Sequence, residues 1–280
     1  MSALSSLRIA LIGGGNMARG LIGGLIARGT QAASIIVAEP DAKGRERLQQ
    51  DFGVTSTDDN TTAITGAAVV VLAVKPQIMA QVVKPLASVL QQSKPLVISV
   101  AAGIRVASLQ SWIGAGVPVV RCMPNRPALV GAGATGLYAD TTVNAAQRAQ
   151  ASAVLESTGL AVWVQRESDI DIVTALSGSG PAYFFRLAEL MAEAAIAQGL
   201  EPGVAGKLAA QTLAGAGQLV AAEASPDLAR MRAEVTSKGG TTEAALNRFA
   251  ALELGNTVAA AMQAAAQRGH ELAEQFGKQE

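Results

Sequence analysis

The chain has 280 residues, enough for roughly two domains with full cores and no covalent staples. Twenty-two Lys and Arg balance 22 Asp and Glu, so no global field exists to gather nucleic acid or an anionic membrane. One cysteine and one histidine exclude a disulfide framework and the Cys- or His-rich metal sites, and 3 % aromatic content leaves no stacking platform for single-stranded nucleic acid. The first residues (Met1-Ser2-Ala3-Leu4-Ser5-Ser6-Leu7) show no cationic stretch ahead of an apolar one, so no signal peptide is expected, and a reducing cytoplasm suits the cysteine usage. The apolar run Ala67 to Val74, closed by Lys75, is far short of a membrane span and reads as a buried strand.

In chain order, Leu7–Ile12, Ile35–Ala38, Ala68–Val74, Leu96–Val100 and Val117–Cys122 are predicted strands. Met17–Arg28, Lys43–Phe52 and Gln77–Leu90 are predicted helices between them. Continuous apolar strands separated by helices predict a mainly parallel sheet covered on both faces. Strands near Thr135–Tyr138 and Ala161–Val164, with a helix from Asn144 to Ser157, extend it. After about Glu167 the strands stop. Ala-rich helices follow: Pro181–Gln198, Pro202–Ala224, Thr241–Leu252 and Asn256–Phe276, with Ser225-Pro226 reading as an N-cap and a first-turn proline. The expectation is an α/β fold: an N-terminal Rossmann-like dinucleotide-binding domain over 1–166, then an all-α domain over 167–280 for substrate and dimerisation. The small residues of Leu213-Ala214-Gly215-Ala216-Gly217 allow close helix approach within this domain or across a dimer.

Three places carry chemistry. First, Ile9 to Ile12 runs into Gly13-Gly14-Gly15-Asn16-Met17-Ala18, a strand, a glycine turn and a helix start matching G-x-G-x-x-A. Gly13 permits the turn, Gly15 lets backbone approach a pyrophosphate, and Ala18 keeps the helix close to the sheet. Glu39, at the end of the second strand, stands near the position whose carboxylate takes the adenosine ribose hydroxyls; it would repel a 2′-phosphate and favours NADH. Lys43 and Arg45 close by could instead hold that phosphate, so NADH and NADPH both stay open. Second, Ala73-Val74-Lys75-Pro76 and Ser99-Val100-Ala101-Ala102-Gly103 end the next two apolar strands, where ligands collect in a doubly wound sheet. Lys75 either faces the cofactor or solvates the strand end, and the small residues of the second loop leave room for a flat ring. Third, Leu176 to Tyr183 and Val235 to Thr242 are small-residue polar turns that open helices. In the latter, two glycines and hydroxyls form a nest for an anion, typically a carboxylate, or simply cap the helix.

Taken together, Gly13 to Ala18, Ala73-Val74-Lys75-Pro76-Gln77, Ser99 to Gly103, Arg121-Cys122-Met123-Pro124-Asn125, Ser177 to Tyr183, and Thr236-Ser237 with Gly239-Gly240-Thr241-Thr242 resemble the pyrroline-5-carboxylate reductase family, in that family's order and over almost the whole chain. The resemblance implies an oxidoreductase of proline biosynthesis: hydride transfer from NADPH or NADH to 1-pyrroline-5-carboxylate, giving L-proline. It implies a homodimer interlocked through the helical domain, with assembly onward to a decamer as a further step. It places the cofactor on Ile12, Gly13, Gly14, Gly15, Asn16 and Met17, near Asn60, on Ala73, Val74, Lys75 and Pro76, and near Val100 and Ala102. The substrate carboxylate falls in the nest of Ser237, Lys238, Gly239, Gly240 and Thr241, with Thr242 on the ring nitrogen as the catalytic residue. Two positions depart from the family pattern: Arg126 stands where Thr is usual and Lys238 where Pro is common, each adding positive charge near an anionic substrate.

Rival readings remain. A hydroxy-acid reductase of the same architecture would need a lysine on Ser179–Gln198, where Arg186 is the only cation. A redox sensor would keep the glycine cradle but need no second nest. Cys122 reads as a buried inert thiol, Tyr183 as packing before acid, and His270 as a solvated residue in a charged stretch.

Overall fold

The computed structural model describes residues 7–277. Eight strands form one sheet: β1 (Ile9–Ile12), β2 (Ile35–Ala38), β3 (Thr55–Thr57), β4 (Val69–Leu72), β5 (Leu96–Ser99), β6 (Val119–Met123), β7 (Gly133–Ala139) and β8 (Gly159–Trp163). Their order is β3-β2-β1-β4-β5-β6-β7-β8. All neighbours are parallel except β6 and β7, which run antiparallel with Val120 opposite Ala139. The crossovers between the parallel strands carry α1 (Asn16–Ala27), α2 (Ala42–Phe52), α3 (Asn60–Ile64), α4 (Met79–Val83), α5 (Ala87–Ser93) and α6 (Val106–Ile113), and α7 (Ala145–Glu156) joins β7 to β8.

The central strands are buried on both faces, which explains their unbroken apolar runs. Ile9 and Leu11 join Leu21, Ile22 and Leu25 of α1 and Val154 and Leu155 of α7 in one core. Ala10 and Ile12 join Met79, Leu90, Leu109 and Trp112 in the other. The predicted helix Gln77–Leu90 is instead a short 3-10 turn, α4, a second 3-10 turn at Lys84–Leu86 and α5. Pro85 is the cause, since its ring cannot continue an α-helix.

Past β8 come α8 (Asp169–Val173), a π-helical turn over Thr174–Gly178, α9 (Gly180–Ala197), α10 (Pro202–Ala221), α11 (Leu228–Glu234), α12 (Thr241–Ala251) and α13 (Leu254–Gly277). The cap of α11 is Asp227, whose carboxylate accepts from the N–H groups of Ala229 and Arg230; the predicted cap Ser225 lies outside the helix. The described chain divides into two compact units: one runs to Ser179 and resumes at Ala264, the other is Gly180–Gln263. The first unit thus passes the expected boundary at 166 and includes the end of α13. Two contacts explain this. Arg121 on β6, only 2 % exposed, donates to Glu167 at 3.3 Å and to Asp171 of α8 at 3.1 Å. Ala273 and Phe276 of α13 are buried, Phe276 beside Trp112 and Ile104 in the core of the first unit.

Breaking a buried ion pair leaves the remaining charge uncompensated, at a cost of about 3–5 kcal/mol. Arg121→Leu is therefore expected to lower unfolding free energy by about 3 kcal/mol or more, read as an earlier midpoint in urea. A change below about 0.5 kcal/mol would show that Glu167 and Asp171 find other partners or water.

Candidate functional site

The glycine turn lies at the carboxyl end of β1, in the centre of the sheet. Gly13 has φ +97°, and a Cβ there would stand 2.8 Å from the Ala73 carbonyl oxygen, so both backbone conformation and space demand glycine. Gly13 N–H donates to the Ala38 carbonyl and Ala73 N–H to the Ile12 carbonyl, both at 2.8 Å, which ties the turn to the ends of β2 and β4. Gly15 is the N-cap of α1 and has no side chain capping it. Nothing lies within 4 Å of where its Cβ would stand, and Gly15 and Asn16 are exposed. A helix start with unsatisfied N–H donors, open space above it and a favourable dipole fits a pyrophosphate.

The other predicted cofactor residues follow along the same edge of the sheet. Ala73 and Val74 are half-buried, Lys75 is exposed and opens the 3-10 turn at Pro76, and Val100 and Ala102 are half-buried beyond β5. Asn60 starts α3 and lines a cavity of about 390 Å³ with Asp59, Thr61, Ile78, Gln81 and Val82. Asp59 caps α3: the Thr62 hydroxyl, with the N–H groups of Thr61 and Thr62, holds its carboxyl below the ordinary carboxylate range.

Glu39 is more deeply engaged than a free ribose acceptor. One carboxylate oxygen accepts from Gly14 N–H at 2.9 Å and the other from Asp41 N–H at 3.0 Å. Its charge therefore sits directly against the glycine turn. Arg45 is turned away from any phosphate role here: Nη1 donates to the carbonyls of Glu39 and Pro40, and Nη2 lies 3.9 Å from Asp58. Lys43 is exposed.

Ser237, Lys238, Gly239 and Gly240 form a loop of the second unit, and Thr241 and Thr242 open α12 directly after it. Gly239 has φ +72°, and Gly240 caps α12 with backbone alone. The Gly239 N–H donates to the Glu243 carboxylate at 2.7 Å. A carboxylate oxygen thus already rests on the nest where the sequence placed one. Glu243 went unnoticed in the sequence, although its place three residues past the glycine cap is the position from which a Glu side chain reaches back to the cap. Lys238 and Thr241 are exposed, Thr242 is half-buried, and Arg126 is exposed in the first unit.

Asn125, quoted in the sequence motif without a role, is 8 % exposed and clamps the π-helical turn: its Nδ2 donates to the Ser177 carbonyl and its Oδ1 accepts from Ala134 N–H, both at 2.9 Å. Cys122 is buried, with Sγ 3.2 Å from the Ser99 carbonyl, and desolvation pushes its thiol far up, as an inert residue requires. His270 is not merely solvated. Its Nδ1 lies 3.3 Å from Arg105 Nη2 and 3.6 Å from Asp171, and its Nε2 lies 3.3 Å from Glu274. Among the described residues, no group of three or more His, Cys, Asp or Glu could hold a metal, and no helix is long and apolar enough to cross a membrane.

A family model described as pyrroline-5-carboxylate reductase dimerisation matches residues 167–272, and one described as NADP oxidoreductase, coenzyme F420-dependent, matches 8–103. A pyrroline-5-carboxylate reductase of Pseudomonas aeruginosa is 48 % identical over 276 residues, covering 98 % of this chain and all of the relative. The chain belongs to the pyrroline-5-carboxylate reductase family. A relative of the same description from Vibrio alginolyticus is 44 % identical over 96 % of this chain and 98 % of its own length. The solved pyrroline-5-carboxylate reductase of Coxiella burnetii superposes with a TM-score of 0.91 at 39 % identity, over 96 % of this chain and 99 % of that one. A pyrroline carboxylate reductase of Plasmodium falciparum, solved with NADP bound, gives 0.80 at 25 % identity, over 97 % of this chain and 100 % of that one. The family bears out the expected fold: a parallel Rossmann-like α/β sheet followed by a helical dimerisation segment.

Gly15 separates folding from binding. Gly15→Ala adds a methyl group into open space at ordinary φ, so Tm should stay within about 2 °C of the parent, while a Cβ under the phosphates should weaken dinucleotide binding about tenfold or more. Gly13→Ala should lower Tm as well. Titration by cofactor fluorescence beside thermal unfolding reads both; unchanged affinity in Gly15→Ala would remove the glycine turn from the binding site.

Proposed function

We propose that the chain reduces 1-pyrroline-5-carboxylate to L-proline with a nicotinamide dinucleotide, as its family membership implies. The observation that most supports this is the loop at Ser237–Thr242: two glycines, an uncapped helix start and a carboxylate already on the Gly239 N–H. A redox sensor would have no use for such a loop. The carboxylate of the cyclic imine would take the place of the Glu243 side chain, aided by the charge of Lys238, and Thr242 would hydrogen-bond the ring nitrogen.

The dinucleotide, when bound, supplies a hydride to the C=N carbon. The residues assigned to hold it are Ile12, Gly13, Gly14, Gly15, Asn16 and Met17 around the pyrophosphate, Glu39 and Asn60 toward the adenosine end, and Ala73, Val74, Lys75, Pro76, Val100 and Ala102 along the carboxyl ends of β4 and β5. The chain's task is orientation. Holding two rings face to face removes an entropic cost of several kcal/mol, which is why the site works without a histidine or cysteine nucleophile. Threonine is a poor acid. Thr242 therefore orients the imine and stabilises the amine that forms, and the proton comes from water or is already on the nitrogen. A homodimer through the helical segment is the assembly unit, and closure of dimers into a decamer is the larger assembly that the family resemblance implies.

Purified protein given 1-pyrroline-5-carboxylate with NADH or NADPH is expected to lose absorbance at 340 nm as proline accumulates. No turnover with either cofactor, while cofactor still binds, would sink the assignment. Thr242→Ala is expected to lower kcat about tenfold, the worth of one hydrogen bond gained in the transition state, with Tm unchanged. Parent-like kinetics would take Thr242 out of the mechanism. Glu39→Gln keeps an acceptor for the Gly14 N–H but removes the charge. The ratio of kcat/KM for NADPH over NADH should rise about tenfold, equivalent to about 1.4 kcal/mol of relieved repulsion. An unchanged ratio would mean that Glu39 serves the glycine turn alone.

A further inference from the structure

β6 ends at Met123 and runs parallel to β5, so the residues just past it open on the same edge of the sheet as Val100 and Ala102. Along that edge the strands follow in the order β2-β1-β4-β5-β6. Glu39 stands just past β2 and the glycine turn just past β1. With the adenosine end proposed at Glu39, the end of β6 falls beside the opposite, hydride-carrying end of the dinucleotide. Asn125, the start of β7 and the π-helical turn over Thr174–Gly178 meet there. The Asn125 amide has one orientation only. Nδ2 donates to the Ser177 carbonyl and Oδ1 accepts from Ala134 N–H. Turning it over would set N–H against N–H and oxygen against oxygen.

Pro181 explains why a side chain from a distant strand is needed. In a continuous α-helix the Ser177 carbonyl would accept from the N–H of residue 181, four places on. That residue is proline, which has no N–H and whose ring presses on that same carbonyl. The helix widens just before it: Ser179 N–H donates to the Thr174 carbonyl, five places back, at 2.8 Å. Asn125 Nδ2 supplies the donor that Pro181 lacks. The turn lies tight on the end of β6, since a Cβ at Gly178 would stand 2.8 Å from Met123 Cε. Ser177, Gly178 and Ser179 are half-buried, whereas Ile170 and Asp171 below them are buried. Relaxed to α-helical spacing, Ser177–Ser179 would move about 100° round the helix axis from those two anchors. Single π-helical turns within α-helices are frequent at functional sites.

We propose that Asn125 is a positioning residue for hydride transfer: by donating to Ser177 it holds the π-helical turn, with Met123 beneath it, as a fixed wall at the nicotinamide end of the site. This rests on the reductase reading proposed above. The effect is selective. The residues assigned to the pyrophosphate and adenosine stand past β1 and β2, so losing Asn125 misplaces the reacting ring and slows the chemical step without loosening the rest of the dinucleotide.

Turnover of 1-pyrroline-5-carboxylate by the parent is the reference, and its absence would end the reductase reading itself. Against an active parent, Asn125→Ala should lower kcat at least about tenfold, keep the dinucleotide dissociation constant within about twofold, and lower Tm by about 2–4 °C. Asn125→Asp keeps the bond from Ala134 N–H and loses only the donation; it should show the same loss of kcat, and it carries the test if the alanine variant folds poorly. Pro181→Ala separates placement from stability, since residue 181 then has an N–H for the Ser177 carbonyl. On that background Asn125→Ala should cost at most about half as much Tm, yet kcat should stay at least about tenfold below the parent because the turn is free to relax. Parent-like kcat in both Asn125 variants overturns the proposal, and so does a loss of kcat matched by an equal loss of dinucleotide affinity. A kcat that recovers together with Tm in the double variant overturns it too, leaving Asn125 a structural brace alone.

Discussion

A sheet whose central strands are buried on both faces has only its ends left for chemistry. From β1 to β5 each strand except the edge strand β3 is covered above and below, and their runs are apolar apart from Ser99 at the end of β5. The positions left open for ligand contacts are the residues just past the strands, and the proposed cofactor residues Gly13 to Met17, Glu39, Ala73 to Pro76, and Val100 to Ala102 stand there. In the proposed site, backbone N–H groups would do most of the binding, and small residues let backbone come close. The Gly13 Cβ that would meet Ala73 at 2.8 Å and the open space above Gly15 are two sides of that demand, one inward and one outward.

The second unit meets the same need by a different route. Its loop at Ser237–Thr242 also ends in a glycine cap without a side-chain cap, so α12, like α1, begins with unsatisfied donors. Helix dipole and orphan N–H groups would favour an anion at either helix start. An enzyme that lets its cofactor carry the hydride needs position more than acid or base strength. The chain's one histidine is spent elsewhere, among Arg105, Asp171 and Glu274.

What the sequence made legible is what strong local rules enforce. The glycine turn, the continuous strands and the Ala-rich helices each follow from spacing that few alternatives share. The misses have physical causes as specific. β3 is too short and too polar to announce itself, being held in place by β2. Pro85 divides a helix that the apolar periodicity carried straight through. The π-helical turn over Thr174–Gly178 looked like a loop because serines and glycines suit loops, and it persists because Asn125, distant in sequence, takes the Ser177 carbonyl. The compact units differ from the composition change at 167 for the same reason. Arg121 had to be a charge inside an apolar strand, and its partners Glu167 and Asp171 draw the next helix into the first unit.

Along Gly180–Gln263, Ala205 is buried, whereas Phe184, Phe185, Leu208, Leu219 and Leu252 are between 58 % and 62 % exposed. Helices with apolar residues all round are stable only when something covers them. At about 25 cal/mol per Å², leaving several large side chains in water forfeits a few kcal/mol each way, comparable to the whole margin of a typical domain. Within one copy, the segment that matches the dimerisation model leaves these side chains uncovered, as expected of a segment that joins a second copy. For a unit completed by a second copy, folding and association become a single equilibrium and stability depends on protomer concentration, a dependence that the two buried cores of the first unit do not require.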